Sequence, residues 1–247
     1  MSAILEIRNA TKHFGGVTAN QDISLDVPEG AIVGLIGPNG SGKTTLFNSV
    51  VGYHPLDGGS IRFAGEEISH LRVPQIARRG LLRTFQQTHI FGEMTCLQNM
   101  QVSIPHGGAG LRNMFRAAPR EGSRRAQDLL AFVGLEQKRH LRAGTLSFGQ
   151  QKLLEFAMAL MARPRLLLLD EPTAGINPTL INGLMERLRH ANRQFGVTLL
   201  VIEHNMNVIM SLAEHITCLA HGRLLAQGTP AEIRENTDVR EAYLGAR

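Results

Sequence analysis

The sequence predicts an α/β fold: a mainly parallel sheet flanked by helices, with a helical lobe inserted in its second third. Three observations predict it. Ala31–Ile36, Arg165–Leu169 and Val197–Ile202 are short, largely apolar runs of the kind that form strands buried on both faces. Helical patterns alternate with them, most clearly over Pro178–Phe195, where Leu180, Leu184, Leu188, Ala191 and Phe195 recur at helical spacing. From about Gln87 to Arg163 the strand pattern is replaced by helical periodicity.

Taken in order, Ile4–Asn9 and Ile23–Val27 read as strands, the second alternating with period two, and Pro28-Glu29-Gly30 as a turn. The buried strand Ala31–Ile36 runs into Gly37-Pro38-Asn39-Gly40-Ser41-Gly42-Lys43-Thr44-Thr45 and a helix to about Val51. Ser60–Phe63 is a short strand. Gly107, Gly108 and Gly110 mark a loop, and Ser123–Val133 a helix burying Leu129, Leu130 and Val133. Ser147 stands at the N-cap of a helix carrying Leu153, Leu154, Phe156, Ala157, Leu160 and Met161, and Pro164 follows its end. Gly196 closes Pro178–Phe195. His221-Gly222 joins Ile216–Ala220 and Arg223–Gln227 as a hairpin, and Thr229-Pro230-Ala231-Glu232 is a capping box that opens a short helix.

Length and composition suit such a fold. The 247 residues are 43% hydrophobic and 19% charged, enough for a sizeable core and unlike a disordered chain. No apolar run approaches the ~18 residues of a membrane span, and no basic-then-apolar leader opens the chain, so a cytoplasmic protein is expected. Net charge is +5, a balance that suits anionic partners without choosing among them. Cys96 and Cys218 lack metal-ligand spacing and are expected to be buried thiols.

The chemistry begins at Gly37-x4-Gly42-Lys43-Thr44, a P-loop pattern set between a strand and a helix. Glycines let backbone N–H groups converge on phosphate oxygens, and the helix N-terminus adds partial positive charge. Lys43 is expected at the β- and γ-phosphates, with the Thr44 hydroxyl on Mg²⁺. Leu166–Leu169 followed by Asp170 places a carboxylate at a strand end beside that loop, where it can hold the Mg²⁺ shell. Glu171 is placed to orient or deprotonate the attacking water. His204 follows the next buried strand and is expected to contact the γ-phosphate.

Leu146-Ser147-Phe148-Gly149-Gln150 resembles the LSGGQ signature of ABC-transporter ATPases. P-loop, signature, Walker B with its Glu and a switch His follow in that family's order along essentially the whole chain. The resemblance implies a single domain. Residues 1–86 and 163–247 would form a RecA-like nucleotide-binding core with an N-terminal antiparallel β subdomain, and residues 87–162 the helical signature subdomain of an L-shaped nucleotide-binding domain. It implies that Phe14, in HFGG, stacks on adenine. It makes Gln86, in RTFQ, the glutamine at Mg²⁺ and the attacking water, although Gln87 adjoins it. Ser147, Gly149 and Gln150 would reach the γ-phosphate of ATP held by a second subunit. Phe148 in place of the first glycine, and Asn177 in place of the usual Asp after AGI, depart from the pattern.

LSFGQQKLLE, DEPTAGINP, VIEHNMNVIM and DVREAYLG further resemble the ATPase of branched-chain amino-acid importers, with wording shared by urea or short-amide importers and lipopolysaccharide-export ATPases. That resemblance implies an ATP- and Mg²⁺-dependent ATPase on the cytoplasmic face of the plasma membrane. It would pair with a second cassette, identical or not, beneath two transmembrane permease subunits, with a substrate-binding protein further out and no nucleic-acid partner. Arg83–Met100, with Ile90, Phe91, Met94, Leu97 and Met100, is the stretch expected against the permease. A soluble ABC protein without a membrane partner is the competing expectation. The chain has neither the long coiled-coil insertion of DNA-repair relatives nor a second cassette.

Overall fold

The computed structural model describes residues 2–84, 90–104 and 120–244. The expected glycine loop at 107–110 and the glutamine Gln86 fall outside these residues. Two compact units form along the chain. One comprises Met1–Arg83, Arg165–Pro172 and Leu188–Arg247, the other Thr84–Pro164 and Thr173–Arg187.

The first unit holds two sheets. β1 (Ala3–Phe14) and β2 (Val17–Pro28) are an antiparallel pair, and β1 also pairs with β4 (Gly58–Phe63), which carries the two-residue β5 (Glu66–Glu67). β3 (Ile32–Ile36), β6 (Leu81–Arg83), β7 (Leu166–Asp170), β8 (Thr198–Ile202), β9 (His215–Ala220) and β10 (Arg223–Gly228) form the other sheet. Its order is β10-β9-β3-β8-β7-β6. All its pairs are parallel except the β9–β10 hairpin. Every residue of β3, β7 and β8 is buried, as their apolar runs require of strands covered on both faces. The core beneath them joins Leu5, Ile7 and Ile61 of the antiparallel sheet to Leu35, Leu168 and Leu200 of the parallel one, around Leu46 and Phe47.

Helices α1 (Lys43–Val50) and α2 (Val73–Arg78) belong to this unit, as do α7 (Met206–Leu212), α8 (Pro230–Glu235) and α9 (Thr237–Leu244). The expected capping box at Thr229 is present: its side chain accepts from Glu232 N, and the Glu232 carboxylate accepts from Thr229 N at 2.7 Å.

The second unit is built on α3 (Cys96–Val102), α4 (Arg120–Phe132) and α5 (Phe148–Met161). Leu129, Leu130 and Val133 are buried there, with Met100, Leu154 and Leu160. A backbone ladder ties 92–97 to 139–144: Gly144 N donates to Gly92 O, Ala143 N to Met94 O, Cys96 N to Leu141 O and Leu97 N to Arg139 O. Residues 173–187 cluster with this unit, so the first half of α6 (Pro178–Phe195) counts with the helices. Leu184, Leu188 and Ala191 are buried as expected, but Leu180 is 45% exposed. It sits in the first turn of α6, where it backs Gly149 on one side and meets solvent on the other. Cys96 and Cys218 are free and buried.

Candidate functional site

Parallel pairing brings the carboxyl ends of β3, β7 and β8 to one edge of the sheet. Ile202 pairs with Leu35 on one side and Asp170 on the other. The loop after β3 and the carboxylate ending β7 are therefore two strand spacings apart, about 10 Å. Three separately read motifs meet there, as expected of ligand sites in open α/β sheets.

A cavity of about 510 Å³ opens at this edge, lined by Asn39 through Thr45, Glu171, His204, Val17–Ala19 and the hairpin turn His221-Gly222. Gly42 is the N-cap of α1 at φ +98°, where a Cβ would stand 2.4 Å from both Ala19 O and Asn20 Nδ2. Only glycine fits that space. No side chain caps α1, so its first N–H groups face the cavity available to an anion. Lys43 is 6% exposed, and its ammonium donates to Gly37 O at 2.8 Å and Pro38 O at 3.0 Å. Burial lowers its pKa, and the charge of Glu171 is the largest opposing influence.

Asp170 ends β7 with its carboxylate buried. Arg83 of β6 donates to Asp170 Oδ2 at 2.5 Å and to Asn48 Oδ1 at 2.5 Å, and lies 5.6 Å from the Phe47 ring centre. Glu171 takes φ +50°, a left-handed backbone uncommon outside glycine, and its N–H donates to Ile202 O. That conformation turns its side chain into the cavity, where Oε1 lies 2.7 Å from His204 Nε2. Phe14 stands at the end of the β1–β2 hairpin opposite Val17, 43% exposed, with the Lys12 ammonium 5.4 Å from its ring centre and His54 edge-on at 5.2 Å.

Ser147, Gly149 and Gln150 lie in the second unit, at the N-terminus of α5. Ser147 Oγ accepts from Gln150 N at 3.4 Å and Gln150 Oε1 accepts from Ser147 N at 3.2 Å, a reciprocal cap. Gly149 is buried against Leu180 and Ile176, while Phe148 is 44% exposed and packs on Gly175. Its bulk therefore projects away from the close backbone at Gly149. Asn177 Oδ1 accepts from Thr179 N and Thr179 Oγ1, so its amide does the capping work an Asp would do there.

Three site features escaped the sequence reading. Asn20, 1% exposed, donates to Gly42 O at 3.1 Å. Gly222 N donates to Ser41 O while Gly222 O accepts from Gln21 N, stitching the last hairpin to the phosphate-type loop. Arg83 is the first residue of RTFQ, a motif read for its glutamine.

Residues 20–174 match the ABC transporter family model. The chain belongs to the ABC transporter family. Residues 223–247 match a second model, for the branched-chain amino acid ATP-binding cassette transporter. The chain is 43% identical to the high-affinity branched-chain amino acid transport ATP-binding protein BraF of Pseudomonas aeruginosa, with 98% of both chains covered. It is 38% identical to the LivG protein of the same description from Salmonella typhimurium, again over 98% of each. A lipopolysaccharide export system ATP-binding protein, LptB of Escherichia coli, is 35% identical over 98% of each. The crystal structure of an ABC-transporter ATP-binding cassette in its ADP conformation superposes with a TM-score of 0.89 at 31% identity, covering 99% of this chain and 100% of that one. As a member of this family the chain is an ATPase, the ATP-binding subunit of an ABC transporter. Among the described residues no helix is long and apolar enough to cross a membrane.

Proposed function

We propose that this ATPase powers import of branched-chain or related hydrophobic amino acids, from the cytoplasmic face of the plasma membrane. The observation that carries the reading is full-length similarity to two proteins named for that transport, together with the tail match at 223–247. The ATP phosphates lie in the 37–45 loop, on the uncapped start of α1, with the Lys43 ammonium, which donates to the Gly37 and Pro38 carbonyls, turning to the β- and γ-phosphates. Phe14 stacks on adenine.

The donor set fits Mg²⁺. Thr44 and Asp170 offer hard oxygen ligands, and no cluster of three or more His, Cys, Asp or Glu converges among the described residues. A protein site so sparse suits an ion that takes its remaining ligands from phosphate and water. When bound, Mg²⁺ neutralises phosphate charge. Gln86 is proposed as a further contact to it and to the attacking water. Glu171 orients that water or takes its proton. His204, already within hydrogen-bond distance of Glu171, holds the carboxylate in place and contacts the γ-phosphate.

The start of α5 completes the site of a second cassette. Ser147, Gly149 and Gln150 present a helix N-terminus to the γ-phosphate bound by the partner. ATP then closes the pair and hydrolysis reopens it, driving two permease subunits between outward- and inward-open states. Met94 and Leu141, exposed on the 92–97/139–144 ladder, and the exposed Phe91 just before it form the proposed permease contact. Met100, expected with them, is fully buried and serves the unit's own core instead. The 35% identity to LptB supports a second reading, lipopolysaccharide export.

Uptake of labelled leucine by cells carrying Glu171→Gln tests the proposal. Uptake should cease, while the purified variant still binds ATP and accumulates as a dimer. Normal leucine uptake alongside lost ATPase activity would transfer the chain to another transport system. Undiminished hydrolysis by the variant would remove Glu171 from the mechanism.

A further inference from the structure

The peptide of Gly37, first residue of the loop, is held from both sides. Its carbonyl accepts the Lys43 ammonium at 2.8 Å, and its N–H donates to the Tyr243 phenol oxygen at 2.7 Å. The position is crowded as well. At φ +148° a Cβ on residue 37 would stand 2.2 Å from Leu219 O and 2.6 Å from Ser41 Oγ. Tyr243 does not line the cavity, so it approaches the loop from behind the phosphate side.

The phenol reaches that point because α9 is anchored. Asn236 Oδ1 accepts from Val239 N at 3.0 Å and caps the helix start. Val239 is 2% exposed and lies one turn before Tyr243, on the same helix face. The preceding α8 is fixed by the Thr229–Glu232 box and by Ile233, 1% exposed. Burial pushes the phenol up to about 12, against the Gly37 hydrogen bond pulling the other way, so it stays neutral.

We propose that Tyr243 is a positioning residue for nucleotide binding, its phenol locking the Gly37 peptide so that the loop keeps its shape when Lys43 exchanges the Gly37 and Pro38 carbonyls for phosphate oxygens. Phosphate binding takes the lysine away from one side of that peptide. The phenol then holds the other side alone. Without it a crowded N–H loses its acceptor, and the loop relaxes out of the shape that phosphates select. The C-terminal segment 223–247, matched by its own family model, thereby becomes part of the nucleotide site. The inference rests on the reading of 37–45 as the phosphate loop.

Tyr243→Phe in the full chain removes one oxygen and keeps the ring, so the variant folds. Its affinity for ATP should fall about tenfold, and in the assembled transporter KM for ATP should rise with kcat held within about twofold. Amide exchange should accelerate over 37–43 and stay unchanged in β7 and β8. A purely structural role predicts the reverse: a lower Tm, exchange raised across the whole sheet, and KM untouched. Lys43→Ala, measured in parallel, separates the two claims. If Lys43→Ala binds ATP normally, the phosphate-loop reading falls and takes this one with it. If Lys43→Ala loses binding while Tyr243→Phe matches wild type in KM and in exchange, the Tyr243 proposal alone is overturned.

Discussion

Asp170 carries a charge at the end of a fully buried strand, and Arg83 is the cation against it, with side chains 5% and 7% exposed. Removing one member of such a pair leaves the other charge in a dry site, which costs about 3–5 kcal/mol. Arg83→Ala also strips a donor from Asn48 and a cation from the Phe47 ring. The variant should therefore lose about 3 kcal/mol of stability, read as a lower urea midpoint with an unchanged m-value. A shift below about 0.5 kcal/mol would mean that the pair does not hold the strand ends together. At this scale legibility followed sequence distance. Lys43, Asp170, Glu171 and His204 could be read because each sits in a short motif after an apolar strand. Arg83, Asn20 and Tyr243 could not, because their partners lie 87, 22 and 206 residues away and no local spacing encodes them.

Secondary-structure elements were legible where burial or capping left a pattern. The fully buried β3, β7 and β8 and the starts of the capped α5 and α8 lie within a residue or two of their expected positions. β5, with two residues, and β6, with three, are too short to show a period, and they exist because β4 and β7 offer edges to pair with. The α5 start has two duties that a substitution can divide. Ser147→Ala loses the cap and about 1 kcal/mol of stability. Ser147→Asp restores an acceptor for Gln150 N and so restores stability, but sets a negative charge where the partner's γ-phosphate is proposed. We expect normal thermal unfolding and at least tenfold slower ATP turnover for Ser147→Asp, since a like charge against phosphate opposes closure. Wild-type turnover in that variant would confine Ser147 to capping.

For the whole molecule, the proposed place at the membrane raises the question of what would fasten there a chain without a membrane-spanning helix among its described residues. Its net charge of +5 draws it only weakly to an anionic surface, and that attraction fades within a Debye length. A packed apolar contact is salt-resistant, and the helical unit offers one in Phe91, 51% exposed, Met94, 37%, and Leu141, 49%. Scattered exposed apolar residues are ordinary, but Met94 and Leu141 lie on one backbone ladder fixed by four hydrogen bonds, and Phe91 stands one residue before it, its carbonyl accepting from Met94 N. Phe91→Ser combined with Met94→Ser alters only side chains that already face water, so Tm and ATP affinity should stay near wild type. Recovery of the chain in washed membranes should fall at least fivefold, and the loss should persist at high salt, where surface charge is screened. In cells lacking the permeases the wild-type chain should wash off as readily as the variant. If the double variant stays on the membrane through that wash while wild type does too, the contact lies elsewhere on the chain, and the ladder is no more than the helical unit's own scaffold.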